Sequence, residues 1–539
     1  MFSIDQNCHS LWDVVPKLQA LARGGMSLRH WIEDVDVAFT SVGSPPGQSA
    51  LRLARERFYR SGGSDWGAAM FYSDFLGRLP VEIRDFEEFT GLKTAALARQ
   101  LGRTVDDLYE EFSCGDNWQL IGPSYVGDVQ HHRVIGDLRV SEAAAFLLEL
   151  LDKARANMLA TFPQEEPRCR LTEWFAQERR HVEQLIAELS QGRLVDLYAS
   201  WLRRYVDKTV EVGFLSSLLA PRDGSAGAEL LRVFCLRYQE AAGLYNQSLS
   251  ETDSALRPLD TTQGELPFFV TLQRQDHLVR TGIFLTGKSL RADDREFAVA
   301  ADGRVSMSQL AQAGLRCLVG KAILLAIQVR LGRQGDSLAL PYRGSLYMPA
   351  ALRLAERLAE AGLLPGTIKP LVRVRFHLLD RLQDIDTVIL LPEHLRGYFG
   401  AAEIPAGRLA EEYPAVAARS AGRLETLRSA QGRQRWLEEN FPSEVRQVAE
   451  LDGQRRRLAE VNSKSPEIRN VWKRIKAIQM YLLDRTFRQI ACDWQARDID
   501  YWDSRGALLP WSIALGGQAF YDDLVARAEI YEEPTNTAR

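Results

Sequence analysis

The chain has no C-x-x-C pair, no H-E-x-x-H motif and no G-x-S-x-G elbow, and no apolar run long enough to cross a bilayer. Its six cysteines, at 8, 114, 169, 235, 317 and 492, are widely spaced, which excludes a thiolate zinc site of ordinary ligand spacing. A chain of 539 residues can bury a large core without a disulfide framework, so the cysteines read as free thiols of a reducing cytoplasm. The most apolar stretch, 318–331, carries Lys321 and Arg330. A membrane span needs roughly 20 apolar residues, so a buried helix over 315–332 is expected instead. The first residues, Met1-Phe2-Ser3-Ile4-Asp5-Gln6, have neither the basic nor the apolar region of a signal peptide. Charge of one sign is also missing: 67 Lys and Arg face 71 Asp and Glu, a formal net charge of −4. A nucleic-acid binder shows a basic excess, so neither nucleic acid nor membrane is an expected partner.

What is present is ordinary globular composition, 46% hydrophobic and 26% charged. The fold class read from the pattern is mainly α with a smaller mixed α/β segment, closed by a C-terminal antiparallel helical hairpin or coiled-coil-like region. Four regions follow. Residues 1–140 are loop-rich, with short helices such as 49–59 between Gly-, Ser- and Pro-containing bends. Residues 141–260 are helical, with Ser141 as an N-cap and further helices over 171–190, 192–220 and 227–256. Residues 261–404 alternate strands and helices. The β-prone runs 268–272, 282–286 and 297–299 predict a small antiparallel sheet, and 337–341, 371–376 and 388–391 are further strands. Residues 405–539 are charged and helical with an aromatic tail. There Ser465-Pro466-Glu467 opens a helix whose Ile468, Val471, Ile475, Ile478 and Leu482 form one apolar seam. The preceding helix offers Val445, Val448, Leu451, Leu458 and Val461 as its antiparallel partner.

Three stretches could carry chemistry. Residues 282–289 match the spacing G-x-x-x-x-G-K-S, and Gly287, Lys288 and Ser289 are the candidate nucleotide-binding residues. A phosphate loop needs a strand before it and a helix after it. Here Ile283-Phe284-Leu285 reads as the strand itself, so a hairpin turn at 286–288 is the favoured reading. The segment 114–137 concentrates glycines, aromatics, carboxylates and two adjacent histidines, and Asp116, Asp128, His131 and His132 are the candidate catalytic residues. The bland alternative is a set of capped turns over packed aromatics. Finally, Arg343-Gly344-Ser345 stands between a strand and a helix, where free N–H groups, the helix dipole and a guanidinium converge on an anion. The tail around 500–518 reads as packing or as a pocket wall. His181, His277, His377 and His394 show no partner in the sequence, and Gln454-Arg455-Arg456-Arg457 reads as a solvated helix face.

These features support an enzyme acting on a small polar or anionic metabolite, its site built from 114–137 and the 342–346 helix start. One alternative is a non-catalytic scaffold or assembly subunit whose 441–490 helices dock a protein. A second is a nucleotide-binding protein using 282–289. The expected partner is a small-molecule ligand or a protein, a second copy of this chain included. The sequence names no cofactor and no metal.

Overall fold

The computed structural model describes residues 1–5, 11–35, 87, 89–104, 132–252, 254, 256–342, 347–497 and 508–533. In chain order the strands begin with β1 (Phe2–Asp5), β2 (Arg29–Ile32), β3 (His132–Arg133), β4 (Glu211–Phe214), β5 (Glu265–Arg274), β6 (His277–Thr286) and β7 (Ser289–Ala292). They continue with β8 (Arg295–Ala298), β9 (Leu315–Gly320), β10 (Leu338–Pro341), β11 (Leu371–Arg375), β12 (Val388–Leu390), β13 (Glu403–Pro405) and β14 (Glu529–Glu533). Helices make up most of the rest, so the protein is helix-dominated with a smaller α/β part.

The chain divides into two compact units. The first comprises Met1–Phe75, Asn117–Arg381 and Asp500–Arg539; the second comprises Leu76–Asp116 and Leu382–Ile499. Two sheets organise the first unit. One has the order β14-β11-β10-β1-β2-β4. Its neighbours β11, β10, β1, β2 and β4 run parallel, and β14 closes the β11 edge antiparallel. Three of its strands lie in stretches that read as loop or helix in the sequence. The reason is length: β1, β2 and β4 have four residues each, too few to show a period. The helix expected over 192–220 is accordingly two pieces, Leu194–Leu202 and Leu215–Leu218, with β4 between them.

The second sheet is antiparallel, in the order β8-β7-β6-β5-β9, with β3 added against β6. Consecutive hairpins build it, and these are the strands expected from the 268–299 pattern. Its edge strand β9 corrects one expectation. Residues 315–332 are not a single buried helix: Leu315–Gly320 pairs with β5, and only Ala322–Gln328 is helical. An apolar run alone cannot separate strand from helix. The Gln328 carboxamide then fastens the two parts, accepting from Gly320 N–H at 2.7 Å and donating to Leu318 O at 2.8 Å. Gly320 is required there, since a Cβ would stand 2.7 Å from Leu325 N. One core joins both sheets: Phe268, Val270 and Ile283 pack with Leu338, Leu354, Leu358 and Leu371.

Helices Leu11–Arg23, Glu165–Glu188, Leu194–Leu202 and Leu508–Ala526 form another layer of this unit. Trp12, Trp174 and Phe175 interlock there edge-to-face, with centroids 5.0 to 5.7 Å apart. In the aromatic tail, residues 500–507 lie outside the described residues and Leu508 to Leu515 are buried. Its helix breaks at Gly517 (φ 74°), and Arg170 donates to the carbonyls of Ile513 and Ala514 next to the break, at 3.1 and 2.8 Å. The helix expected to start at Ser141 starts at Val140 instead; its cap is the Glu142 carboxylate, which accepts from Arg139 N–H at 2.7 Å.

In the second unit, Pro442–Val461 and Pro466–Ala496 form the expected antiparallel hairpin, opened by the Ser465 hydroxyl accepting from Glu467 N–H at 3.3 Å. Leu451, Val471 and Ile475 are buried in its seam, with Val448, Leu458 and Ile478 packed around them. Among the described residues no helix is long and apolar enough to cross a membrane.

Candidate functional site

The parallel sheet fixes a position by its strand order. From β1 the chain adds β2 and then β4 on one side, then returns to place β10 and β11 on the other. The strand order therefore reverses between β1 and β10, and open sheets bind ligands at the carboxyl ends of the strands at such a switch point. The loop after β1 spans 6–10 and the one after β10 contains 343–346; both lie outside the described residues.

Described side chains flank this edge. On the β11 side, the Arg375 guanidinium sits 4.2 Å over the Tyr342 ring, which holds a cation beside the strand end. The neighbouring Arg373 is tied down, donating to Glu533 at 2.7 Å and to Pro341 O at 3.2 Å. His377, just past β11, has φ +52°; its Nε2 lies 2.8 Å from Glu529 and its Nδ1 3.6 Å from Asp380. On the β2 side, buried Asp34 accepts from Ser216 N–H at 2.8 Å and Ser216 Oγ–H at 2.5 Å. Burial raises its carboxyl above the ordinary range, and the Ser216 hydrogen bonds pull against that rise.

The end of the 114–137 stretch arrives at this same edge. The Gly136 N–H donates to Asp34 O at 2.8 Å, and a Cβ on Gly136 would stand 2.8 Å from that oxygen. The turn that carries Gly136 is held by a polar clasp. Arg133 donates to Asp137 at 2.6 Å and to both oxygens of Glu142 at 2.7 and 2.8 Å. Asp137 also accepts from Leu278 N–H at 2.9 Å and lies 3.0 Å from His277 Nδ1. Burial works to raise the Asp137 carboxyl, but the Leu278 N–H, Arg133 and His277 together hold it below its ordinary value. With these partners, Asp137 and Arg133 close a turn.

Among the sequence candidates, Asp116, Asp128, His131, Arg343, Gly344 and Ser345 lie outside the described residues. His132 falls in β3, opposite Arg280. The backbone on either side of 343–346 belongs to β10 and to the helix Met348–Glu360, so the strand–loop–helix context expected there is present. Two strand spacings, about 10 Å, separate β2 from β10. The segment 132–137 thus reaches the edge on one side of β1, and β10 ends on the other.

The phosphate-loop spacing resolves differently. Gly282 to Thr286 complete β6, Gly287 (φ 62°) and Lys288 form a two-residue turn, and Ser289 begins β7. No helix follows, so Gly287, Lys288 and Ser289 lack the wrapped backbone that phosphates require.

Sequence reasoning missed the Tyr342–Arg375 stack, the Asp34–Ser216 pair and the partners of His277 and His377. The 182 positions between Asp34 and Ser216, and the 140 between Asp137 and His277, leave no local pattern to read. Among the described residues, no group of three or more His, Cys, Asp or Glu is placed to hold a metal ion. Compared with known proteins, the chain matches no family model, no curated protein and no solved structure.

Proposed function

We propose that the protein is an enzyme acting on a small polar, anionic metabolite bound at the carboxyl edge of the parallel sheet, between β1 and β10. One observation carries this reading: the strand order reverses at β1, and open sheets take ligands at such a switch point. The chemistry nearby suits an anion. Arg375 supplies a fixed cation over Tyr342, and Arg343, Gly344 and Ser345 precede the N-terminus of Met348–Glu360, whose first N–H groups point toward that loop. Asp128, His131 and His132 remain the groups assigned to acid–base work at this edge, because the residues that follow them lead into the turn against Asp34. Among the described residues Cys169, Cys235, Cys317 and Cys492 form no disulfide, which suits a reducing cytoplasm.

Docking through the 441–490 seam draws less support, since Leu451, Val471 and Ile475 bury one another. The test is a thermal-shift screen of phosphorylated and carboxylated metabolites against the wild type, Arg343→Ala and Arg375→Ala. A ligand at one hundred times its Kd stabilises a fold by about 2.7 kcal/mol. The reading expects such a shift in the wild type and a much smaller one in both variants. A shift that both variants keep in full would remove the site from this edge.

A further inference from the structure

The net charge of −4 hides a local surplus of the opposite sign at the tip of the C-terminal hairpin. Between residues 455 and 476 eight Lys and Arg stand against two Glu. Arg455 and Arg456 are paired with Asp452. Arg457, Lys464, Arg469, Lys473 and Arg474 are exposed and have no ion pair among the described residues.

Their placement follows from helical geometry. At 3.6 residues per turn, Val471, Ile475, Ile478 and Leu482 share the seam face, which puts Arg469, Lys473 and Lys476 together on the opposite, outward face. Trp472 stands among them, three residues from Arg469, four from Lys476 and next to Lys473, and it is 52% exposed. Arg457 and Lys464 add positive charge on and beside the loop that joins the two helices.

We infer that this outward face binds a single-stranded nucleic acid. Three observations favour that partner. Arg457, Lys464, Arg469, Lys473 and Arg474 have no ion pair among the described residues, so they are available to neutralise phosphates. An exposed indole flanked by cations is a stacking platform for an unpaired base. A membrane would need a broad apolar face, and the apolar face of this hairpin is closed in its seam.

The test uses the full-length protein and a fluorescein-labelled 20-nucleotide oligouridine RNA, followed by anisotropy at 50 mM salt. Saturable binding is expected, with log K falling against log salt by about 0.7 for each phosphate neutralised. The double reversal Arg469→Glu/Lys473→Glu is expected to weaken binding more than tenfold, and Trp472→Ala about tenfold, whereas Trp472→Phe keeps most of the affinity. All three positions are exposed, and circular dichroism checks that each variant keeps its helices. The inference is overturned if no saturable binding occurs. It also fails if the double reversal or Trp472→Ala leaves affinity within twofold, if a duplex binds as tightly as the single strand, or if polyglutamate or phosphatidylserine vesicles bind as well as the RNA.

Discussion

The two sheets of the first unit share one core yet are assembled in opposite ways. The antiparallel sheet is local: β5, β6, β7 and β8 follow one another through short turns, and some of its charged residues pair within it, as Arg274 does with Asp293. The parallel sheet is collected from residues 2 to 533, and its strand order reverses at β1. A region built of hairpins uses its charged residues to hold itself together. A region built of distant strands brings residues far apart in the chain to one edge, which is where the proposed ligand would meet them.

Substitutions can break or sharpen this contrast. The largest effect is expected from Gly264→Ala, because Gly264 has φ +73° and a Cβ would stand 2.0 Å from Leu285 O. Loss of more than about 3 kcal/mol in urea denaturation is expected, from backbone strain plus a displaced strand. A loss under about 1 kcal/mol would show that the hairpins yield more easily than their geometry requires. Next comes Asp137→Ala, which takes the acceptor from the Leu278 N–H and one of two carboxylates from Arg133. It is expected to cost about 2 kcal/mol while leaving any ligand-induced shift intact; loss of that shift would give the clasp a binding role.

Gly287→Ala should cost about 1 kcal/mol, for a left-handed turn residue with open space around it. In the same background, Lys288→Ala should leave melting in the presence of ATP and magnesium unchanged; an ATP-dependent shift that vanishes with Lys288 would restore the nucleotide reading. Arg375→Ala is expected to cost about 1 kcal/mol in stability, for a half-buried guanidinium over the Tyr342 ring, yet to remove most of the ligand shift. That is the inverse of Asp137→Ala.

The smallest effect is a pH dependence at Asp34. Its carboxyl is raised from the ordinary 3.8, chiefly by burial, so the fold favours the neutral form. That contribution is complete below pH 3.8 and is lost as pH climbs through the raised folded value. Asp34→Asn has no such loss. Its stability relative to the wild type should therefore rise between pH 3.5 and pH 7, and a constant difference would mean that Asp34 ionises as freely in the fold as out of it.

How far the sequence could be read follows the same divide. The hairpin helices Pro442–Val461 and Pro466–Ala496 were legible because Ser465, Pro466 and a seam from Ile468 to Leu482 are local signals. The β5–β6 hairpin was legible from its β-branched and aromatic runs. The parallel sheet was half legible. Leu338 to Pro341 and Leu371 to Arg375 are short apolar runs next to periodic helices, but nothing in Phe2-Ser3-Ile4-Asp5 announces a strand that pairs with residue 338. The start of 315–320 was misread because its strand identity comes from β5, its neighbour in space. At the site, the strand–loop–helix context of Arg343 was readable in order along the chain. The partners of Asp34 and His277 were not, since each contact closes a loop of well over one hundred residues.

The central claim is that the crevice beside β1 is where a ligand binds. Hydrogen–deuterium exchange, compared with and without the most stabilising metabolite from the thermal screen, addresses it directly. The account predicts that new protection concentrates in peptides covering 1–12 and 338–352. Protection absent there and confined to 282–298, or to the helices after 405, would contradict it.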